Sequence, residues 1–83
     1  MQKTIHSKEY QIVVEKLRAL REAAGMTQRD LAAKLDREHS FVWRMEKGER
    51  RLDVVEFHYV CQALGTDASE LYRELLIAFH SEG

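Results

Sequence analysis

The chain contains no proline, one cysteine and only four glycines in 83 residues. Without proline, and with so little glycine, it lacks the punctuation that short strands and hairpins require. A lone cysteine excludes an internal disulfide. No cluster of cysteine and histidine has the spacing of a structural zinc site. No run is apolar for long enough to span a bilayer, and Met1 to Ser7 lack the apolar core of a secretion signal. The expectation is a cytoplasmic protein without membrane contact. Nor is there a glycine-rich phosphate loop, a nucleophile-and-base arrangement or a carboxylate pair, so no enzyme is expected.

What is present favours helix. Alanine, leucine, glutamate, arginine and lysine are abundant, and all are good helix formers. The length allows one domain, 1–83, with a thin core over about 8–80. The net charge is −1, which argues against a generic polyanion binder. Its distribution matters more. Gln28 to Arg51 holds seven basic against five acidic residues, a net of +2, while the rest holds six against nine, a net of −3.

The fold class is all-α with five helices. The first is predicted to start after Ser7, an N-cap, with Val13, Leu17, Leu20 and Ala24 inward, and to stop at Gly25. The second opens at Thr27 with Asp30 three positions on, in the manner of a capping box; Leu31, Ala32 and Leu35 form its buried stripe. A short turn, Asp36 to Glu38, leads to a third helix over about His39 to Lys47. There Val42 and Met45 point inward, with Phe41 at the edge, and Gly48 stops it. A charged loop follows, anchored by Leu52. The fourth helix starts at Asp53 and Glu56, presents Val54, Phe57, Val60, Cys61 and Leu64 inward, and ends at Gly65. The fifth starts at Asp67. Its apolar residues Leu71, Leu75, Leu76 and Phe79 exceed what one short helix needs, which predicts a dimer interface at Leu75, Leu76 and Phe79.

The informative segment is Thr27 to Gly48: two short helices, a three-residue turn, and a second helix with polar side chains outward. A helix-turn-helix places a recognition helix in the DNA major groove in this way. The runs Thr27 to Leu35 (TQRDLAAKL), Glu46 to Arg50 (EKGER) and Ala63 to Gly65 (ALG) resemble the phage-repressor-like helix-turn-helix family, also called the XRE or Cro/lambda-repressor family. Ser40 to Val42 and Arg50 to Phe57 are similar to a common bacterial branch of it. The resemblance covers roughly Leu17 to Leu75.

It implies a lambda-repressor-like domain that binds double-stranded DNA. Gln28 matches the family's phosphate-contacting glutamine at a helix N-terminus. His39, Ser40, Trp43 and Arg44 match base-facing positions, and Arg44 suits bidentate guanine recognition. Arg37, Lys47, Arg50 and Arg51 are expected along the phosphate backbone. Arg21 and Glu46 match an ion pair joining the first and third helices. Three departures stand out. Asp36 occupies a position where glycine is usual, though aspartate tolerates left-handed geometry. Arg37 replaces an apolar turn residue. Trp43 replaces a small or polar one, and its indole packs on thymine methyls, blocks a standard docking pose, or belongs to a protein interface.

Plainer readings stand beside these. Lys47, Arg50 and Arg51 also fit a solvated loop, and His39 and Ser40 fit ordinary first-turn residues. Most tryptophans are core, yet Val42 and Met45 already fill the inward face. His58 and Cys61, three apart, have a spacing that can hold a metal, but Cys61 lies on the apolar stripe and reads as a buried thiol. His6 and His80 carry no partner pattern. No metal, cofactor or small-molecule ligand is expected. The functional expectation is a homodimeric transcriptional regulator, a repressor reading a palindromic operator. The alternative is a protein-interaction module, an antitoxin or adaptor, on the same fold.

Overall fold

The computed structural model describes residues 7–82; residues 1–6, His6 among them, and Gly83 lie outside this range. The described residues form five helices and no strand: α1 (Lys8–Ala23), α2 (Gln28–Lys34), α3 (His39–Glu46), α4 (Val54–Leu64) and α5 (Ala68–Glu82). None is long and apolar enough to cross a membrane.

The starts follow from side chains that satisfy free backbone donors. Ser7 Oγ accepts from the Tyr10 amide at 3.2 Å. Thr27 and Asp30 close a reciprocal capping box on α2, and Asp53 and Glu56 close another on α4. Asp67 Oδ1 accepts from the amides of Ser69 and Glu70 at the start of α5. α3 begins at Glu38 with no side-chain cap.

The stops are as regular. In α1 to α4 the last turn closes with one amide donating to a carbonyl five residues back, as from Met26 to Arg21, Arg37 to Ala32, Glu49 to Arg44 and Thr66 to Cys61. This is the Schellman pattern, which needs a left-handed residue just past the helix. Gly25, Gly48 and Gly65 supply it at three of the ends, with φ of 72°, 75° and 70°. Asp36 supplies it at the fourth with φ of 54°. The turn of the helix-turn-helix therefore keeps left-handed geometry without glycine.

The core gathers around Leu17, Leu31, Val42, Met45, Val60, Cys61, Leu71 and Leu75. α1 packs on α3 and α5, α2 on α3 and α4, and α4 on α5. Val42 and Met45, both fully buried, fasten α3 to this core. Each such side chain contributes about 1.5–3 kcal/mol through burial.

Three assignments differ from the sequence reading. On α1, Tyr10, Val14, Leu17 and Arg21 are buried and Val13 and Leu20 pack half-buried against the core, while Ala24 is exposed. Val54 is 80% exposed: it stands at the first position of α4 and outside the core cluster. Leu75 is 3% exposed: it belongs to the monomer core and is not a surface residue available to a second chain. Cys61 is buried and His58 exposed, though both border one shallow pocket at the end of α4. Burial pushes the Cys61 thiol pKa up, which suits an inert side chain.

Candidate nucleic-acid interface

The left-handed Asp36 reverses the chain between α2 and α3 and turns one face of α3 to solvent. Val42, Met45 and Phe41 point to the core, so the residues between them point away. His39, Trp43, Arg44 and Lys47 are exposed and Ser40 is half-buried. The sequence-predicted base-facing residues thus lie together on one outward stripe.

Trp43 is 40% exposed. Lys47 Nζ lies 4.4 Å from the centroid of its ring, a cation–π contact that holds the indole against its own helix. Arg44 lines an open cleft of about 360 Å³ together with Ser40, Phe41, Arg37 and Arg50. Among the described residues Arg44 pairs with no carboxylate, so its guanidinium is available to a ligand.

Arg21 and Glu46 meet as the resemblance implied. Arg21 Nε and Nη2 donate to the two Glu46 carboxylate oxygens at 2.7 and 3.0 Å. The side chains are only 9% and 3% exposed. Arg21 Nη1 also donates to the Met26 carbonyl at 2.7 Å, and Gln28 Nε2 donates to Glu46 Oε1 at 3.0 Å. The hydrogen bond to Glu46 raises the Arg21 pKa above its already high value. The Glu46 carboxylate at the end of α3 therefore ties α1 and α2, and Arg21 ties the turn between them. Gln28 sits at the first position of α2 and uses its amide inside this network.

The loop after α3 departs most from expectation. Arg50 Nη1 and Nη2 donate to the two oxygens of Glu56 at 3.0 and 2.7 Å. Arg37 Nη1 stands 3.8 Å from Glu56 Oε2. Both guanidinium groups also lie over the Phe41 ring, at 4.2 Å for Arg37 and 4.7 Å for Arg50. The two arginines assigned to phosphate thus converge on one acid and one aromatic ring. Sequence reasoning saw Glu56 only as a capping residue and Phe41 only as an edge residue. The hydrogen bonds from Arg50 and from the Asp53 amide hold Glu56 below the usual carboxylate pKa.

Tyr10 was also missed. Its hydroxyl donates to the Arg50 carbonyl, joining α1 to the loop, and burial pushes its pKa up. No local signal marks this tyrosine, since its partner lies 40 residues away. Arg51 is exposed, with its guanidinium 5.7 Å from the Tyr10 ring.

On α5, Leu76 is 37% exposed and Phe79 half-buried. Ile77 and Tyr72, which the sequence reading did not single out, are 64% and 53% exposed.

Comparison with known proteins places this geometry. A family profile described as a helix-turn-helix domain matches residues 13–73. The fold is similar to an XRE-family like protein from Pseudomonas syringae pv. tomato str. DC3000, with 46% identity over 89% of this chain and 90% of that one, and a TM-score of 0.83. It is similar to the restriction-modification controller protein C.AhdI from Aeromonas hydrophila, with 29% identity, 78% and 98% coverage and a TM-score of 0.72. It also resembles the controller C.Esp1396I, described as a tetramer in complex with its natural 35 base-pair operator, with 22% identity, 86% and 93% coverage and a TM-score of 0.78. None of the curated proteins compared matches the sequence. The chain belongs to the XRE-type helix-turn-helix family of DNA-binding transcription regulators.

Proposed function

We propose that this chain is a homodimeric repressor that reads a palindromic operator through α3 and acts in the cytoplasm by occupying that site. The observation that carries this reading is the outward stripe of α3, centred on Arg44, which pairs with no carboxylate among the described residues, and backed by the buried Arg21–Glu46 pair. A stripe of donors on a helix fixed to a core matches a major groove whose base edges are read by hydrogen bonds. His39, Ser40 and Trp43 flank Arg44 and set the remaining contacts. Gln28, at the first position of α2, and the exposed Lys47 and Arg51 orient it on the phosphate backbone. The operator complex described for C.Esp1396I supports DNA as the partner.

A two-fold dimer would present two α3 helices about 34 Å apart, one turn of duplex. Leu76, Ile77, Tyr72 and Phe79 give α5 an apolar face suited to that contact. The competing reading is a protein-interaction module, and it is favoured by one observation, the exposed indole of Trp43 at the middle of α3.

The test is Arg44→Ala. We expect a loss of about 1–3 kcal/mol on the operator with little change on random duplex, because one guanine contact disappears while the backbone contacts remain. Equal affinity of variant and wild type for operator would remove Arg44 from the readout. Wild-type binding without steep salt dependence would favour the interaction module over DNA.

A further inference from the structure

Phe41 is a buried aromatic residue on the edge of the recognition helix, and two guanidinium groups lie over its ring. Those guanidinium groups come from different segments, Arg37 from the turn before α3 and Arg50 from the loop after it. Glu56, near the start of α4, is the acid both approach. Its Oε1 accepts from Arg50 Nη1 and from the Asp53 amide at 3.0 and 2.9 Å. Its Oε2 accepts from Arg50 Nη2 at 2.7 Å and faces Arg37 at 3.8 Å. The Glu56 side chain is 17% exposed. The loop is fixed a second time, through the Arg50 carbonyl, by the Tyr10 hydroxyl of α1.

We propose that Glu56 is a positioning residue for DNA recognition: by holding Arg37 and Arg50 against Phe41 it sets the tilt of α3, and the two arginines act through this clamp rather than on phosphate. The proposal rests on the reading of α3 as the recognition helix. An isolated surface ion pair holds little in place. Here one carboxylate, two guanidinium groups and one ring join the turn, α3, the following loop and α4, and such networks are coupled. For Arg50 to reach phosphate it must leave two carboxylate bonds and the Arg51 carbonyl, to which Nη1 also donates at 2.9 Å. It would also uncover Phe41. Arg44, on the same cleft, has no such commitment.

The sign of one substitution separates the alternatives. If Arg37 and Arg50 were phosphate contacts, Glu56 would compete with DNA for them, and removing its charge would tighten binding to every duplex. If Glu56 positions α3, removing its charge weakens the operator selectively. Glu56→Gln is the suitable variant, since glutamine at this position still closes the capping box.

The experiment measures wild type, Glu56→Gln, Arg50→Ala and the double variant on a duplex selected from a random library and on random duplex across a salt series. Amide exchange along α3 in the absence of DNA is read in parallel. We expect Glu56→Gln to lose about tenfold on the selected duplex and none on the random one, and the double variant to be no weaker than the weaker single, as coupled residues require. We also expect the α3 amides to exchange faster in Glu56→Gln while those of α1 hold. Tighter binding of Glu56→Gln to both duplexes, additive effects, and a salt slope lowered by Arg50→Ala would overturn the proposal and return Arg50 to the backbone. The exchange readout needs no DNA. A wild type that selects no sequence while α3 loosens in Glu56→Gln would sink the DNA reading and leave the clamp; a wild type that selects a sequence with α3 unchanged would sink the clamp alone.

Discussion

Replacing Arg21 by methionine tests the frame on which α3 rests. Methionine keeps much of the side-chain stem and deletes the guanidinium. Glu46 then loses its bonds at 2.7 and 3.0 Å and keeps only Gln28 at 3.0 Å. The Met26 carbonyl loses its 2.7 Å donor as well. The Glu46 side chain is 3% exposed, so water does not replace what is lost. Breaking a buried pair from one side costs about 3–5 kcal/mol. A domain of this size has about 4–12 kcal/mol in total, and each kcal/mol is about 4–8 °C in Tm. The expected result is a Tm lower by at least about 12 °C, with urea midpoints falling in step at constant m. Arg21→Met combined with Glu46→Leu removes both charges and should recover most of the loss, since apolar substitution of a buried pair is often neutral. The assay is urea and thermal unfolding by circular dichroism on the wild type, the singles and the double. A single-variant cost below about 1 kcal/mol, with an additive double, would refute the claim that this pair is desolvated and coupled.

Three further outcomes follow from the same geometry. Asp36→Gly should stabilise the fold by about 0.5–1 kcal/mol, because a left-handed position without a Cβ is relieved, whereas Asp36→Val should cost at least about 1 kcal/mol; equal unfolding midpoints for the two would contradict the left-handed turn. Glu56 is held below its ordinary pKa of 4.5, chiefly by the Arg50 hydrogen bonds, and Asp30 and Asp67 below 3.8, chiefly by the Thr27 amide and the Ser69 hydroxyl. These groups take up protons more readily when unfolded, so stability is steady above about pH 5 and declines as pH falls through 4.5 and below; urea midpoints that match at about pH 3 and pH 6 would speak against these bonds. Leu76→Glu with Ile77→Glu should give monomer by ultracentrifugation without loss of helix, since both side chains are exposed, and an unaltered mass would move the interface off this face.

Much of the architecture was legible because it is written in local chemistry. Ser7, Thr27 and Asp53 cap helices within three residues, and Gly25, Gly48 and Gly65 stop them. Asp36 was legible through the resemblance, which puts glycine at that position, and aspartate tolerates left-handed geometry. The Arg21–Glu46 pair was legible only through family resemblance. The face of α1 was legible only in part: Val13, Leu17 and Leu20 do pack on the core, but the more deeply buried Val14 and Arg21 were not foreseen. Val13 and Val14, or Leu20 and Arg21, are neighbours on a helix, and periodicity does not decide between adjacent positions when a buried arginine takes one of them. Leu75 and Leu76 pose the same ambiguity on α5: the first lies in the core and the second at the surface. The fates of Arg37 and Arg50 were beyond the sequence for another reason. A positive charge near a recognition helix suits phosphate and suits Glu56 equally well, and only the fold brings Glu56 to Phe41.

The central claim is sequence-specific reading of duplex DNA by α3, and selection of binding sites from a random duplex library with the purified protein tests it most directly. The expected result is enrichment of one short palindrome with half-site centres about 10 base pairs apart, lost in Arg44→Ala. A folded, helical protein that enriches no sequence would contradict it.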